Sequence, residues 1–140
     1  MNPQAMLFPT MQELTTLLPL FRRCYERVPN TDTPLNTLKD LLVGRTILFV
    51  DAPSKTRVYA IAQPQEHDLI ILQAFALSGA TANARVLHKY VERWAKENGF
   101  VRMVAYTKRN PQALARAYGW RLDSYKMVKE LTNGIESSKK

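Results

Sequence analysis

Residues 81–98, T-A-N-A-R-V-L-H-K-Y-V-E-R-W-A-K-E-N, constrain the fold more than any other stretch of this chain. Val86, Leu87, Tyr90, Val91, Trp94 and Ala95 recur at three- and four-residue spacing, which paints one apolar stripe along a helix, and Gly99 stands where such a helix closes. On the N-terminal side lies the run L-I-I-L-Q-A-F-A-L within residues 68–77; on the C-terminal side, residues 101–106 read V-R-M-V-A-Y. Both have strand character, so strand, helix and strand follow one another and the chain belongs to the α+β class.

Length sets the scale for the rest. At 140 residues, 46% apolar and 23% charged, one compact domain is expected over residues 6–131, followed by a polar tail at 132–140, T-N-G-I-E-S-S-K-K, without apolar periodicity. Cys24 is the only cysteine, so no internal disulfide can form and a reducing compartment is expected. No apolar run approaches the roughly 20 residues that span a bilayer, and the first ten residues lack the pattern of a signal peptide, which predicts a cytoplasmic protein. A formal charge of +8 suits phosphate-rich partners, nucleic acid or coenzyme among them, but the Lys and Arg residues are scattered rather than gathered in one block.

The remaining elements follow from local pattern. Residues 6–8 suggest a short edge strand. Met11, Leu14, Leu17, Leu18, Phe21, Cys24 and Tyr25 mark an amphipathic helix opened by a Thr10/Glu13 capping box, with Pro19 predicting a kink or a break near Leu18. A second helix runs from Pro34 through Leu42, between Thr33 as N-cap and Gly44 as C-cap. Residues 46–50, 57–62 and 68–77 predict three consecutive strands, the first two connections being hairpins because D-A-P-S-K and Q-P-Q-E-H carry turn residues. After the long helix and the strand at 101–106, residues 111–118 read as a short helix capped by Asn110, and 122–128 as one last strand. The order is βααβββαβαβ.

That order, together with W-A-K-E-N-G-F, the V-R-M-V-A-Y-T strand, N-P-Q-A, G-W-R and the closing S-Y-K-M-V-K-E, resembles the GNAT N-acetyltransferase superfamily. The resemblance implies a mixed central sheet of about six to seven strands flanked by helices. It also implies that acetyl-CoA or CoA lies where the fourth strand splays from the fifth, its pyrophosphate on the backbone N–H groups that open the following helix. The residues it assigns to the coenzyme are Leu77, Gly79, Ala80, Thr81, Ala82, Asn83, Ala84, Arg85 and Asn110. Tyr118 is the assigned catalytic acid for the departing thiolate.

The ligand loop departs from the family pattern, which has Gln or Arg, two residues, Gly, one residue, then Gly or Ala. In register these positions hold Gly79, Ala82 and Ala84, so only the last conforms, and Ala82 adds a methyl where backbone must approach phosphate. Gly119 also falls two residues early relative to Asn110, so Tyr118 is off the family's tyrosine position. These departures predict a degenerate member that is non-catalytic or weakly active. Such a member works as a binding or structural protein, loosely like the GNAT-like virion proteins of tailed phages, with other proteins or a second copy as partner and a virion location if phage-encoded. The alternatives are an active N-acetyltransferase using acetyl-CoA on an amine, and a nucleic-acid-binding module. A general base would have to come from Glu66, His67, Asp68 or the fourth strand; His67 and His88 read as surface histidines, and no Cys/His cluster points to a metal.

Overall fold

The computed structural model describes residues 2–27, 33–106, 121–123 and 126–131. Within them the chain forms β1 (Gln4–Met6), α1 (Met11–Arg27), α2 (Pro34–Leu42), β2 (Ile47–Val50), β3 (Val58–Gln65), β4 (Asp68–Ala76), α3 (Thr81–Glu97), β5 (Arg102–Tyr106), β6 (Arg121–Asp123) and β7 (Lys126–Glu130). The strands build one seven-stranded sheet in the order β1-β2-β3-β4-β5-β7-β6. All neighbours are antiparallel except β4 and β5, which α3 connects as a parallel pair. The helix expected at 111–118 lies outside the described residues.

The sheet is covered on both faces because its buried strands are apolar on both. The face carrying Leu48, Tyr59, Ile61 and Phe75 meets Leu14 and Phe21 of α1 and Leu41 of α2. The opposite face, with Phe49, Leu69 and Met103, meets Leu87, Val91 and Ala95 of α3. Trp94 sets its ring edge-on to Phe49 at 5.1 Å between centroids, and the Tyr90 hydroxyl accepts the Ala5 N–H at 3.1 Å, tying α3 to the edge strand. Val86, expected in the stripe, stays exposed.

Several local expectations are met in atomic detail. The Thr10 N–H donates to Glu13 Oε1 at 2.8 Å and the Glu13 N–H to Thr10 Oγ1 at 3.1 Å, a reciprocal capping box. Thr33 Oγ1 accepts the Asn36 N–H, and Gly44 follows the α2 C-cap Val43 with φ +74. A residue with Cβ at 44 would be strained in that left-handed conformation and would run into the exposed Phe8 ring. Because Phe8 can swing aside, Gly44→Ala is expected to cost the backbone term, about 1–2 kcal/mol, read as a lowered midpoint of urea unfolding.

Three expectations are corrected. Helix α1 runs through Pro19 without the break expected near Leu18, Pro19 standing on the exposed side of the helix. The edge strand is Gln4–Met6, not 6–8: Leu7 and Phe8 leave the ladder, and Phe8 lies over Gly44. The single last strand is two, β6 and β7, paired antiparallel with Asp123 opposite Lys126, in keeping with the turn character of Asp123 and Ser124.

Candidate functional site

Strand β4 is nine residues long but β5 accompanies only its first part, with Asp68 to Ile71 pairing Arg102 to Ala105 in register. The stretch from Leu72 to Ala76 keeps β3 on one side and, among the described residues, has no β5 partner on the other. At about 3.3 Å per residue, that opens roughly 16 Å of strand edge. A bulge marks where the separation begins: Ala62 pairs Ile71 and Ile61 pairs Gln73, so Leu72 is the extra residue and stands half exposed. Bulges bend their strand and increase its twist, which turns the far half of β4 away from β5.

The open edge runs up to the N-terminus of α3. Ala80, the N-cap, has no side-chain oxygen to accept from the first turn, so the opening amides of the helix meet no capping side chain. The residues assigned from sequence, Leu77, Gly79, Ala80, Thr81, Ala82, Asn83, Ala84 and Arg85, are brought together at this junction. Thr81, Ala82 and Arg85 are exposed, whereas Ala80 is buried in the α3-side core. Asn110 and Tyr118 lie outside the described residues.

What holds the junction in place was not expected from the sequence. Asp51, at the end of β2, is fully buried; its Oδ1 accepts the Arg57 and Val58 N–H groups at 3.0 and 3.1 Å, and its Oδ2 accepts the Asn83 side-chain amide at 2.7 Å. The Asn83 side chain is therefore committed to the protein, leaving its backbone N–H for a ligand. Arg57 completes the frame, donating from Nη2 to the Ser78 carbonyl at 3.3 Å while its own carbonyl accepts the Leu77 N–H at 2.9 Å. Gly79 takes φ +81, a left-handed turn that an L side chain disfavours. The glycine read from sequence as a lost Gln or Arg serves here to make the turn into α3.

A second polar feature lies on the open half of β4. Gln73 is nearly buried on the α1 face, and its Oε1 accepts a short hydrogen bond from the Tyr59 hydroxyl across the β3–β4 pair. Burial, with a smaller contribution from neighbouring Cys24, pushes the Tyr59 phenol far above its usual range, so it remains a donor. One signal for Gln73 was available: it is the polar residue inside the L-I-I-L-Q-A-F-A-L run.

The other sequence candidates stand elsewhere. Glu66, His67 and Asp68 lie at the end of β4 far from the N-terminus of α3, lining a cleft of about 510 Å³. Asp68 is held there by Arg102 through Nε at 3.0 Å and Nη2 at 2.7 Å, a bidentate pair that commits its carboxylate. His67 is exposed as expected, but His88 is not a surface histidine. Only 15% of its side chain is exposed, packed near Glu92 and Lys129, and burial first, then the Lys129 charge, lower its pKa to about 4. Among the described residues no cluster of His, Cys, Asp and Glu could hold a metal, and no helix is long and apolar enough to cross a membrane.

No family model and no curated protein matches this chain in sequence. Solved structures do match in shape. An aminoglycoside 6'-acetyltransferase of type Ii superposes with a TM-score of 0.79 at 12% identity, covering 95% of this chain and 99% of that one. The chain has the GNAT fold. The aminoglycoside 6'-N-acetyltransferase from Enterococcus faecium gives 0.73 at 9% identity over 95% and 98% of the two chains. The ribosomal-protein-S18-alanine N-acetyltransferase from Escherichia coli gives 0.67 at 12% over 94% and 96%. At such identities the likeness establishes the GNAT architecture, including the mixed sheet expected from sequence.

Proposed function

We propose that this protein binds acetyl-CoA in the gap between β4 and β5 and transfers its acetyl group to an amine. The observation that carries the reading is the edge of β4 from Leu72 to Ala76, which has no partner from β5 among the described residues and ends at the N-terminus of α3, where Ala80 supplies no capping side chain. A strand edge offers alternating N–H and C=O groups that the amide-bearing arm of the coenzyme can pair with, and a helix N-terminus offers donors and partial positive charge to its pyrophosphate. Acetyl-CoA supplies an activated thioester. The chain supplies the strand edge, the turn at Gly79 and the first-turn amides, with exposed Arg85 adding charge nearby. The comparisons lend no support to a virion or structural role, since the solved structures just described are acetyltransferases.

Thermal unfolding in the presence of CoA and acetyl-CoA tests the reading. A saturable rise in midpoint with either is expected, because a ligand that binds only the folded state stabilises it; no rise with either at millimolar concentration overturns the proposal. Ala82→Gly is expected to tighten CoA binding by roughly threefold to tenfold by removing the methyl nearest the phosphate path. The same change should lower unliganded stability by about 0.5–1 kcal/mol, since glycine is the poorer helix residue. Isothermal titration of both proteins measures the first effect and urea unfolding the second.

A further inference from the structure

The geometry points to the Gln73 side-chain amide, anchored by Tyr59, as the group that distinguishes the acylated coenzyme from free CoA by donating a hydrogen bond to the thioester carbonyl. This rests on the coenzyme reading above and concerns a residue with no counterpart in the loop pattern. Three observations place it. Gln73 is the first residue after the Leu72 bulge, where β4 parts from β5. It is 7% exposed in a layer otherwise built from Phe21, Cys24, Ile61 and Phe75, a place where an amide is costly unless its hydrogen bonds are used. Its Oε1 is taken by the Tyr59 hydroxyl, while Nε2 makes no hydrogen bond among the described residues.

That amide nitrogen also keeps contact with solvent. Thr46 Oγ1 is the one fully buried side-chain polar atom left without a partner among the described residues, so the Nε2 of Gln73 is not sealed in the core. The arrangement is a donor held at a fixed orientation: the phenol O–H fixes the amide oxygen, and the planar amide then aims its two N–H bonds away from Tyr59. A thioester carbonyl is a hydrogen-bond acceptor that free CoA lacks. The bulge matters because it shifts the side-chain alternation by one, putting Gln73 on the α1 face with Phe75 rather than on the α3 face with Ile71.

Affinities of acetyl-CoA and CoA, measured by isothermal titration without any amine acceptor, test the assignment. The native protein is expected to bind acetyl-CoA about threefold to tenfold more tightly than CoA, the worth of one neutral hydrogen bond. Gln73→Met, which keeps length but removes the donors, should abolish that preference and leave the CoA affinity within about twofold. Tyr59→Phe, which keeps Gln73 but frees its amide, should reduce the preference and serves if the methionine variant does not fold. A preference unchanged in either variant overturns the inference, showing a Tyr–Gln pair that only braces β3 against β4. Equal affinities in the native protein also overturn it while leaving the coenzyme reading intact. Binding of neither ligand overturns both.

Discussion

Replacing Asp51 with alanine is expected to lower the unfolding free energy by about 3 kcal/mol, or the melting midpoint by roughly 10 °C for a chain of this size. The carboxylate is fully buried and accepts two backbone N–H groups and the Asn83 amide. Alanine would leave these donors without an acceptor in a place water reaches poorly, so the loss includes their desolvation as well as the bonds. Asp51→Asn should cost less, about 1 kcal/mol, because the new amide oxygen still accepts from the β3 backbone and Asn83 can turn its own oxygen toward the new NH₂. Asp51 also links the β2–β3 hairpin to the first turn of α3, so Asp51→Ala should weaken CoA binding beyond its effect on folding. Urea unfolding with CoA titration below the transition separates the two. A variant as stable as the native protein would show that the network is not used.

Lowering the pH from about 6.5 to about 4 is expected to remove on the order of 3 kcal/mol of stability through His88 alone. The folded-state pKa is lowered from the ordinary histidine value of 6.5 to about 4. Between these values the unfolded chain binds a proton that the folded chain refuses, so stability rises with pH across this window and is fully present above it. Burial is the main cause, and the Lys129 charge on β7 adds to it, whereas Glu92 on α3 opposes it. Lys96 and Lys129 both approach Glu92, at 3.6 and 3.1 Å, which limits how much its carboxylate can favour an imidazolium. His88→Gln should flatten the stability profile between pH 4 and 6.5 relative to the native protein, measured by urea unfolding at each pH. Parallel profiles would show that His88 titrates normally.

Both groups show where local pattern stops being informative. His88 stands between lysine and arginine positions on a helix whose apolar stripe reads clearly, so its own residue type suggests the solvent face. Its surroundings include Lys129 of β7, more than thirty residues later in the chain, whose charge acts on it. Asp51 opens D-A-P-S-K and reads as turn chemistry, which is half of its role. The other half needs Asn83, thirty-two positions away, and appears only when β4 returns the chain to the hairpin. Gly79 was legible as a departure from a loop pattern but not as a left-handed turn, since spacing says nothing about φ.

The sequence by itself determined the element types of the described residues, the caps of α1 and α2, the apolar face of α3 and, through that order, the GNAT architecture. These depend on periodicity and on hydrogen bonds between residues three or four apart, which neighbours in the chain decide. Only the tertiary structure decided that β4 bulges at Leu72, that its pairing with described residues of β5 stops at Ile71, that Asp51 and Arg57 brace the turn into α3, and that Tyr59 hydrogen-bonds Gln73 across β3 and β4. Each of these depends on strand register and burial between segments distant in sequence, where a one-residue shift moves a side chain to the other face of the sheet.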